Sequence, residues 1–180
     1  MDIRCDQVID CGLIPYPEFE ALQAAVWKQV VSGHGSVALI CRHLPVITCG
    51  RSAHVDNIRV SPGILSDRGI ALCRIGRGGD VTYHGPGQVC IYPVMDLRLI
   101  KPDLHCYLRA LESLLLDILA QTGIKADRKP GLTGVWVQER KIASIGISVR
   151  RWVTLYGCAI NVADADLAGF DCIRPCGMDI

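Results

Sequence analysis

The sequence lacks the long apolar runs that a membrane protein needs. Half of its 180 residues are hydrophobic, but Arg, Asp, Pro or Gly interrupts every apolar run. None reaches the roughly 18 residues required of a spanning helix. The start, Met1–Gln7, has two acidic residues and no apolar stretch, so it resembles neither a secretory signal nor a transit peptide. We therefore expect a cytoplasmic protein with no membrane partner.

An excess of charge of one sign is also missing. The chain has 19 basic and 18 acidic residues, which gives a formal net charge of +1. A nearly neutral chain has no overall electrostatic attraction to nucleic acid or to an anionic surface. We therefore expect no nucleic-acid partner.

Cysteine is abundant, but the spacing typical of metal sites is absent. None of the ten cysteines forms a Cys-x-x-Cys pair, and most lie in apolar runs such as Ala38–Cys41 and Val89–Ile91. In a chain without a secretory signal, such cysteines are better explained as buried free thiols that pack like small hydrophobic side chains. We expect neither a disulfide framework nor a zinc site.

The most informative segment that is present is Arg77-Gly-Gly-Asp-Val-Thr-Tyr-His-Gly-Pro-Gly-Gln88. Five of its twelve residues are Gly or Pro, and glycine is needed where φ is positive or where another group approaches the backbone closely. An extended run, Val89–Met95, follows directly. We therefore interpret the segment as the wall of a small-molecule pocket. It has neither pattern of a phosphate-binding loop, so a nucleotide site is poorly supported.

Hydrophobic periodicity predicts two long helices, at Glu18–Val31 and Leu104–Thr122. It also predicts strands at Ser36–Cys41, Val46–Cys49, Ile70–Cys73, Val89–Met95, Gly134–Val137, Lys141–Ile147 and Val153–Val162. The last three runs have the tight connections of an antiparallel meander. Because the strands are grouped and do not alternate with helices, the pattern predicts an α+β fold, which we expect to form one domain over residues 1–180.

Three side chains are candidates for chemistry. Cys176 lies between Pro175 and Gly177, outside any periodic segment, and is equally consistent with a reactive thiolate and with an inert thiol. A nearby ammonium that lowered its pKa by about 1.5 units would make roughly half of it thiolate at pH 7. Lys141 is a candidate for that ammonium, although a lysine at the start of a strand is more often a solvated edge residue. His84 is either a base or a hydrogen-bonded wall residue.

Several motifs together resemble those of the lipoyl(octanoyl) transferase family. The segment Arg77–Gln88 resembles the signature of that family. The remaining motifs follow in the family's order and approximate spacing, and they span nearly the whole chain: Pro45–Arg51, Gly134–Val137, Lys141–Gly146, Gly157–Val162 and Pro175–Gly177.

The resemblance implies a catalytic domain like those of biotin and lipoate protein ligases, with a mixed, mostly antiparallel sheet and flanking helices. It implies that Cys176 is the acyl-thioester nucleophile and Lys141 its activating partner. For the oxyanion we expect hydrogen bonds from backbone N–H groups near Cys176 and from the Gly78-Gly79 turn. The acyl site would be lined by Arg77, Gly78, Gly79, Asp80, Val81, Thr82, Tyr83, His84, Ser144, Ile145, Gly146, Gly157, Cys158 and Ala159.

The resemblance also implies partners. The donor would be octanoyl-acyl carrier protein, and the acceptors would be lysines of lipoyl domains in 2-oxoacid dehydrogenases and of the glycine cleavage H protein. A thioester donor makes ATP unnecessary, so we expect no cofactor, and we expect a monomer. Two alternatives are an ATP-dependent lipoate or biotin ligase of the same fold and a non-catalytic module that binds an acyl chain or a lipoyl domain.

The chain differs from the family pattern at two places. Tyr156 stands where the family commonly has a histidine before Gly157. Relatives usually continue beyond the position of Ile180 with a further helical tail, so we expect the C-terminal tail of the family to be missing here.

Overall fold

The computed structural model describes residues 3–163 and 167–175. The strands in these ranges are β1 Gln7–Ile14, β2 Val37–His43, β3 Val46–Cys49, β4 Ala71–Arg74, β5 Val81–His84, β6 Gln88–Val94, β7 Val135–Val137, β8 Arg140–Arg150 and β9 Val153–Asn161. The α-helices are α1 Tyr16–Val31, α2 Pro62–Asp67 and α3 Leu104–Gln121. No helix in the described ranges is long and apolar enough to cross a membrane.

The strands form two sheets. The larger has the order β1-β2-β6-β9-β8-β7 and the smaller has the order β4-β3-β5. The pairs β1–β2 and β3–β4 are parallel, and the other pairs are antiparallel. This confirms the predicted α+β class and the mixed, mostly antiparallel sheet.

Helices α1 and α3 pack on opposite faces of the larger sheet. Along β6, Cys90 and Tyr92 pack in the cluster that contains the buried face of α1, whereas Ile91 packs in the cluster that contains Leu115 and Leu119 of α3. Successive side chains of a strand point to opposite faces, so the alternation assigns one helix to each face. Both faces of the central strands are therefore covered.

Both predicted long helices are confirmed. Helix α1 begins at Tyr16, two residues earlier than predicted, because Pro17 fits in the first turn of a helix, where its missing N–H is not needed. Helix α3 begins after Asp103, whose carboxylate accepts a hydrogen bond from the Cys106 N–H at 3.0 Å. It ends before Gly123, which has a φ of +80°.

Of the strands and α-helices given above, three were not predicted: β1, α2 and β5. Strand β1 is an edge strand whose register shifts around Gly12, where φ is +62°, so its side chains lack a clean alternation. Helix α2 has six residues, too few for a periodic signal. Strand β5 has only four residues and lies inside the glycine-rich segment, so it is too short to show an alternating pattern.

The predicted meander is confirmed for β7, β8 and β9, and β8 is longer than predicted. Strand β8 extends to Arg150, and Arg151 and Trp152 form the connection to β9 with φ values of 54° and 63°. Two consecutive positive φ angles are the geometry of a two-residue hairpin turn. The turn therefore needs only these two residues, and Val149 and Arg150 remain in the strand.

Candidate functional site

A cavity of about 610 Å³ lies where the glycine-rich segment meets β8, β9 and the chain that follows β9. Its volume is within the range of small-molecule sites. Apolar side chains on its wall include Ile124, Val137, Ile142 and Ile145, and polar ones include Arg77, Lys141 and Asn161. The cavity can thus hold an apolar chain next to charged and hydrogen-bonding groups.

Most of the residues predicted to form an acyl site line this cavity together with Lys141. They are Arg77, Gly78, Gly79, Thr82, His84, Ser144, Ile145, Gly146, Gly157, Cys158 and Ala159. Asp80, Val81 and Tyr83 do not line it. What these residues bind stays a prediction.

The position of Asp80, Val81 and Tyr83 follows from the unpredicted strand β5. Alternation along the strand directs Thr82 and His84 to the cavity and buries Val81 and Tyr83 in a separate apolar cluster. The carboxylate of Asp80 accepts hydrogen bonds from the side chain of Asn57 and from the N–H groups of His54 and Val81. Asp80 therefore holds the segment from His54 to Asn57 in place.

The guanidinium of Arg77 is buried beside the cavity and is held by Thr48 of β3. Its Nη2 donates to the Thr48 carbonyl at 2.7 Å and to Oγ1 at 3.0 Å, and its Nη1 donates to the Gly78 carbonyl at 3.0 Å. A Cβ on Gly146 would lie 2.9 Å from Arg77 Cδ, and one on Gly50 would lie 2.2 Å from the Gly79 carbonyl oxygen. These glycines thus leave the space in which Arg77 places a positive charge at the cavity wall.

Lys141 is half-buried at the start of β8 and reaches the cavity. Its Nζ lies 5.0 Å from the centre of the Trp136 ring, within cation–π distance. Trp136 is also its partner across the β7–β8 pair. Lys141 is therefore partly covered by Trp136 and is not a fully solvated edge residue, and its role as activating partner stays a prediction.

His84 is buried and hydrogen-bonded. Its Nδ1 lies 3.0 Å from Gln88 Oε1, and its ring is stacked at 8° to that of Tyr16. Burial, and to a smaller extent the neighbouring His43, lowers the pKa of His84 to about 3. Burial likewise lowers the pKa of His43 to about 4. Both imidazoles are therefore neutral at pH 7.

Tyr156, at the position where the family commonly has histidine, lies on the cavity wall. Its hydroxyl accepts a hydrogen bond from the Gly76 N–H at 2.9 Å, and its φ is +60°, in the left-handed region. Burial raises the pKa of its phenol. The tyrosine thus ties β9 to the residue that precedes the glycine-rich segment.

Cys176 lies outside the described residues. The residue before it, Pro175, lines the cavity together with Ile173. All the cysteines in the described ranges are free thiols. Burial raises the pKa of Cys90 and of Cys158 to about 12 each, so these two are protonated at pH 7.

Sequence reasoning missed several wall residues. Asn161 lies in the quoted motif Gly157–Val162, and alternation from Gly157 through Ala159 places it on the same face. The motif and the alternation together are therefore sufficient to predict that Asn161 lies on the cavity wall. Tyr16 lines the same cavity but lies far from the other motifs in the sequence, and only the packing of α1 brings it there.

Residues 15–176 match the protein family described as the lipoyl protein ligase A/B catalytic domain. The chain belongs to this family. It is 44% identical over 173 residues to the octanoyltransferase of Syntrophotalea carbinolica, a match that covers 96% of this chain and 78% of that protein. It is 52% identical over 140 residues to the octanoyltransferase of Solibacter usitatus, covering 78% of this chain and 63% of that protein. The predicted family resemblance is confirmed.

Solved structures of lipoate protein ligases have the same fold as this chain. A lipoate-protein ligase A bound with ATP superposes with a TM-score of 0.70 at 18% identity, covering 98% of this chain and 77% of that one. The bi-partite lipoate protein ligase of Thermoplasma acidophilum superposes with a TM-score of 0.64 at 21% identity, covering 90% of this chain and 62% of that one. At these identities the likeness establishes the fold.

Proposed function

We propose that the protein transfers an octanoyl group from the thioester of acyl carrier protein to a lysine of a lipoyl domain, with Cys176 as the intermediate acyl carrier. One observation carries the proposal: Lys141 and Pro175, the residue before Cys176, line the same cavity. Apolar side chains in that cavity suit an acyl chain. Membership of the family and the names of the relatives at 44% and 52% identity support the reaction.

In the first step, the Cys176 thiolate attacks the thioester carbonyl of the donor. A new C–S bond forms to Cys176, and the C–S bond to the carrier breaks, so the carrier leaves as a thiol after taking up one proton. The ammonium of Lys141 stabilises the thiolate and can supply that proton. Because one thioester replaces another, no ATP is consumed.

In the second step, the amine of the acceptor lysine attacks the carbonyl of the acyl-enzyme. An amide C–N bond forms, the C–S bond to Cys176 breaks, and neutral Lys141 accepts the proton that the attacking amine loses. The product is an N-octanoyl lysine, and Cys176 is again a thiolate.

The negative charge on the carbonyl oxygen needs a donor in both steps. The Gly78 N–H is already used, because it donates to the Ile147 carbonyl at 2.8 Å. The Gly79 N–H makes no hydrogen bond to the described residues, and Gly79 lines the cavity. Of these two glycines we therefore assign an oxyanion hydrogen bond to Gly79, beside the positive charge of Arg77.

The test is the intact mass of the protein after incubation with octanoyl-acyl carrier protein in the absence of ATP. We expect one octanoyl adduct that disappears when a lipoyl domain is added and that does not form in Cys176→Ala. The matched control is Cys73→Ala, which removes a half-buried thiol of β4 outside the cavity and should leave the adduct unchanged.

Two results would overturn the proposal. One is an adduct that persists in Cys176→Ala. The other is octanoylation of the lipoyl domain that requires ATP and releases pyrophosphate, which would identify a ligase. Binding of the octanoyl donor with no adduct and no transfer would instead identify a binding module.

A further inference from the structure

Four residues form a chain of hydrogen bonds that crosses from β5 to β8. His84 Nδ1 lies 3.0 Å from Gln88 Oε1, Gln88 Nε2 donates to Asn161 Oδ1 at 2.8 Å, and Asn161 Nδ2 donates to the Lys141 carbonyl at a longer 3.5 Å. Gln88 is buried and Asn161 is half-buried. The chain therefore joins the imidazole of His84 to the backbone of Lys141.

The Lys141 carbonyl, the last group in this series of hydrogen bonds, fixes the donor and the acceptor of each bond. The Lys141 carbonyl can only accept, so Asn161 must present its NH₂ group to Lys141 and its oxygen to Gln88. Gln88 then presents its NH₂ group to Asn161 and its oxygen to His84. A carboxamide oxygen can only accept, so the proton of the imidazole is on Nδ1.

The same argument leaves Nε2 of His84 with a lone pair. Among the described residues, none donates a hydrogen bond to Nε2, and His84 lines the cavity. The groups around the ring are Tyr16, His43, Arg77 and the Cys90 thiol, whose sulfur lies 3.7 Å from Nδ1. Because burial beside these groups keeps the ring neutral at pH 7, it can accept a hydrogen bond but is too weak a base to remove a proton from an ammonium.

We propose that Gln88 and Asn161 are positioning residues that hold His84 as its Nδ1–H tautomer, so that Nε2 accepts a hydrogen bond from an N–H of the attacking amine in the cavity. The identity of that amine as the acceptor lysine rests on the proposed function. The tautomer does not, because it follows from the hydrogen bonds of the protein alone.

If Nε2 of His84 accepts a hydrogen bond from the attacking amine, the loss of this tautomer should slow the second step, transfer to the amine, and not the first step, formation of the acyl-enzyme. The octanoyl thioester carbonyl has no proton to donate to Nε2, whereas an attacking amine has at least two. Formation of the acyl-enzyme should therefore be unchanged within about twofold when the tautomer is lost. Transfer from the acyl-enzyme to the lipoyl domain should slow by roughly 3- to 10-fold, the equivalent of one neutral hydrogen bond.

The experiment combines nitrogen NMR of histidine with single-turnover kinetics. In protein labelled with ¹⁵N-histidine at pH 7, long-range proton–nitrogen correlation should show Nδ1 of His84 protonated and Nε2 unprotonated. Gln88→Leu removes the acceptor and should populate the Nε2–H form. Gln88→Glu keeps an oxygen that can only accept from Nδ1–H, so it should keep the Nδ1–H tautomer.

Three results would overturn the inference. They are an Nε2–H tautomer in the unmodified protein, an unchanged tautomer in a folded Gln88→Leu variant, and a changed tautomer with transfer at the original rate. If Gln88→Leu does not fold, Asn161→Leu provides the second test, since it removes the oxygen that fixes the direction of the Gln88 amide and should populate the Nε2–H form. Failure of the proposed function is distinguishable, because the unmodified protein would then form no octanoyl adduct while the tautomer stayed as assigned.

Discussion

Gly134 lies directly against the side chain of Lys141. A Cβ on Gly134 would lie 2.5 Å from Lys141 Cε and 3.2 Å from Nζ. The Gly134 N–H donates to Glu112 Oε1 at 3.3 Å, and this buried carboxylate also accepts from Arg109 at 2.6 Å and from Arg128 at 2.9 Å. The buried acid of α3 thus holds the glycine that gives Lys141 its space.

We predict that Gly134→Ala displaces the Lys141 side chain and slows formation of the octanoyl adduct by about 10- to 100-fold, as a misplacement of about 1 Å can do. Its φ of +132° also makes alanine strained, so stability should fall by about 1–3 kcal/mol. The rate is measured by intact mass against time, and the free energy of unfolding by urea titration.

Gly131→Ala is the matched control for this change. Gly131 also has a positive φ, +77°, but nothing lies within 4 Å of a Cβ placed there. It should lose some stability through backbone strain while the adduct forms at the original rate. Equal slowing in both variants would show that strain, and not the displacement of Lys141, controls the rate.

The second prediction concerns the bonds between Thr48 and Arg77. Thr48→Val keeps the shape of the side chain but removes the hydroxyl that accepts from Nη2 at 3.0 Å and from Nε at 3.3 Å. Leaving a buried guanidinium partly unsatisfied should lower the free energy of unfolding by about 1–3 kcal/mol. Thr82→Val, at the paired position of β5, is the control and should change it by less than about 0.5 kcal/mol. A fully stable Thr48→Val variant would contradict the prediction.

The sequence was sufficient to predict the parts of the fold that have strong periodicity. The apolar stripe of Leu104–Gln121 and the meander of β7, β8 and β9 were both identified, because burial on one face imposes a regular pattern. Strand β5 was not, since four residues between glycines carry no pattern long enough to read.

The site was predictable where a family motif was present and not where distant elements meet. The motifs identified Arg77 and Lys141, but not the contact of Tyr16 with the same cavity, which depends on how α1 packs on the sheet. Nor does the sequence show that Val81 and Tyr83 are turned away from the cavity, because the register of a strand is set by its partners.

The third prediction concerns Tyr156 and the start of the glycine-rich segment. Tyr156→Phe removes the hydroxyl that accepts from the Gly76 N–H at 2.9 Å. Amide hydrogen exchange at Gly76 should become faster, and stability should fall by about 1 kcal/mol. Tyr107→Phe, which removes a buried hydroxyl on α3, is the control and should leave exchange at Gly76 unchanged. Unchanged exchange in Tyr156→Phe would show that the tyrosine does not hold this segment.

The fourth prediction is that stability falls as pH decreases from 6.5 to 5. The folded-state pKa values of His43 and His84 are lowered by burial to about 4 and about 3, below the unfolded value of 6.5. In this window the unfolded chain takes up protons that the folded protein does not, so each histidine should contribute a loss of up to about 1.4 kcal/mol per pH unit.

Urea unfolding at pH 7.5, 6.0 and 5.0 measures how the free energy of unfolding changes with pH. These pH values lie above the range where most carboxylates titrate. His43→Gln should reduce this change by about half. Equal stability at all three pH values would show that neither imidazole is kept neutral by the fold.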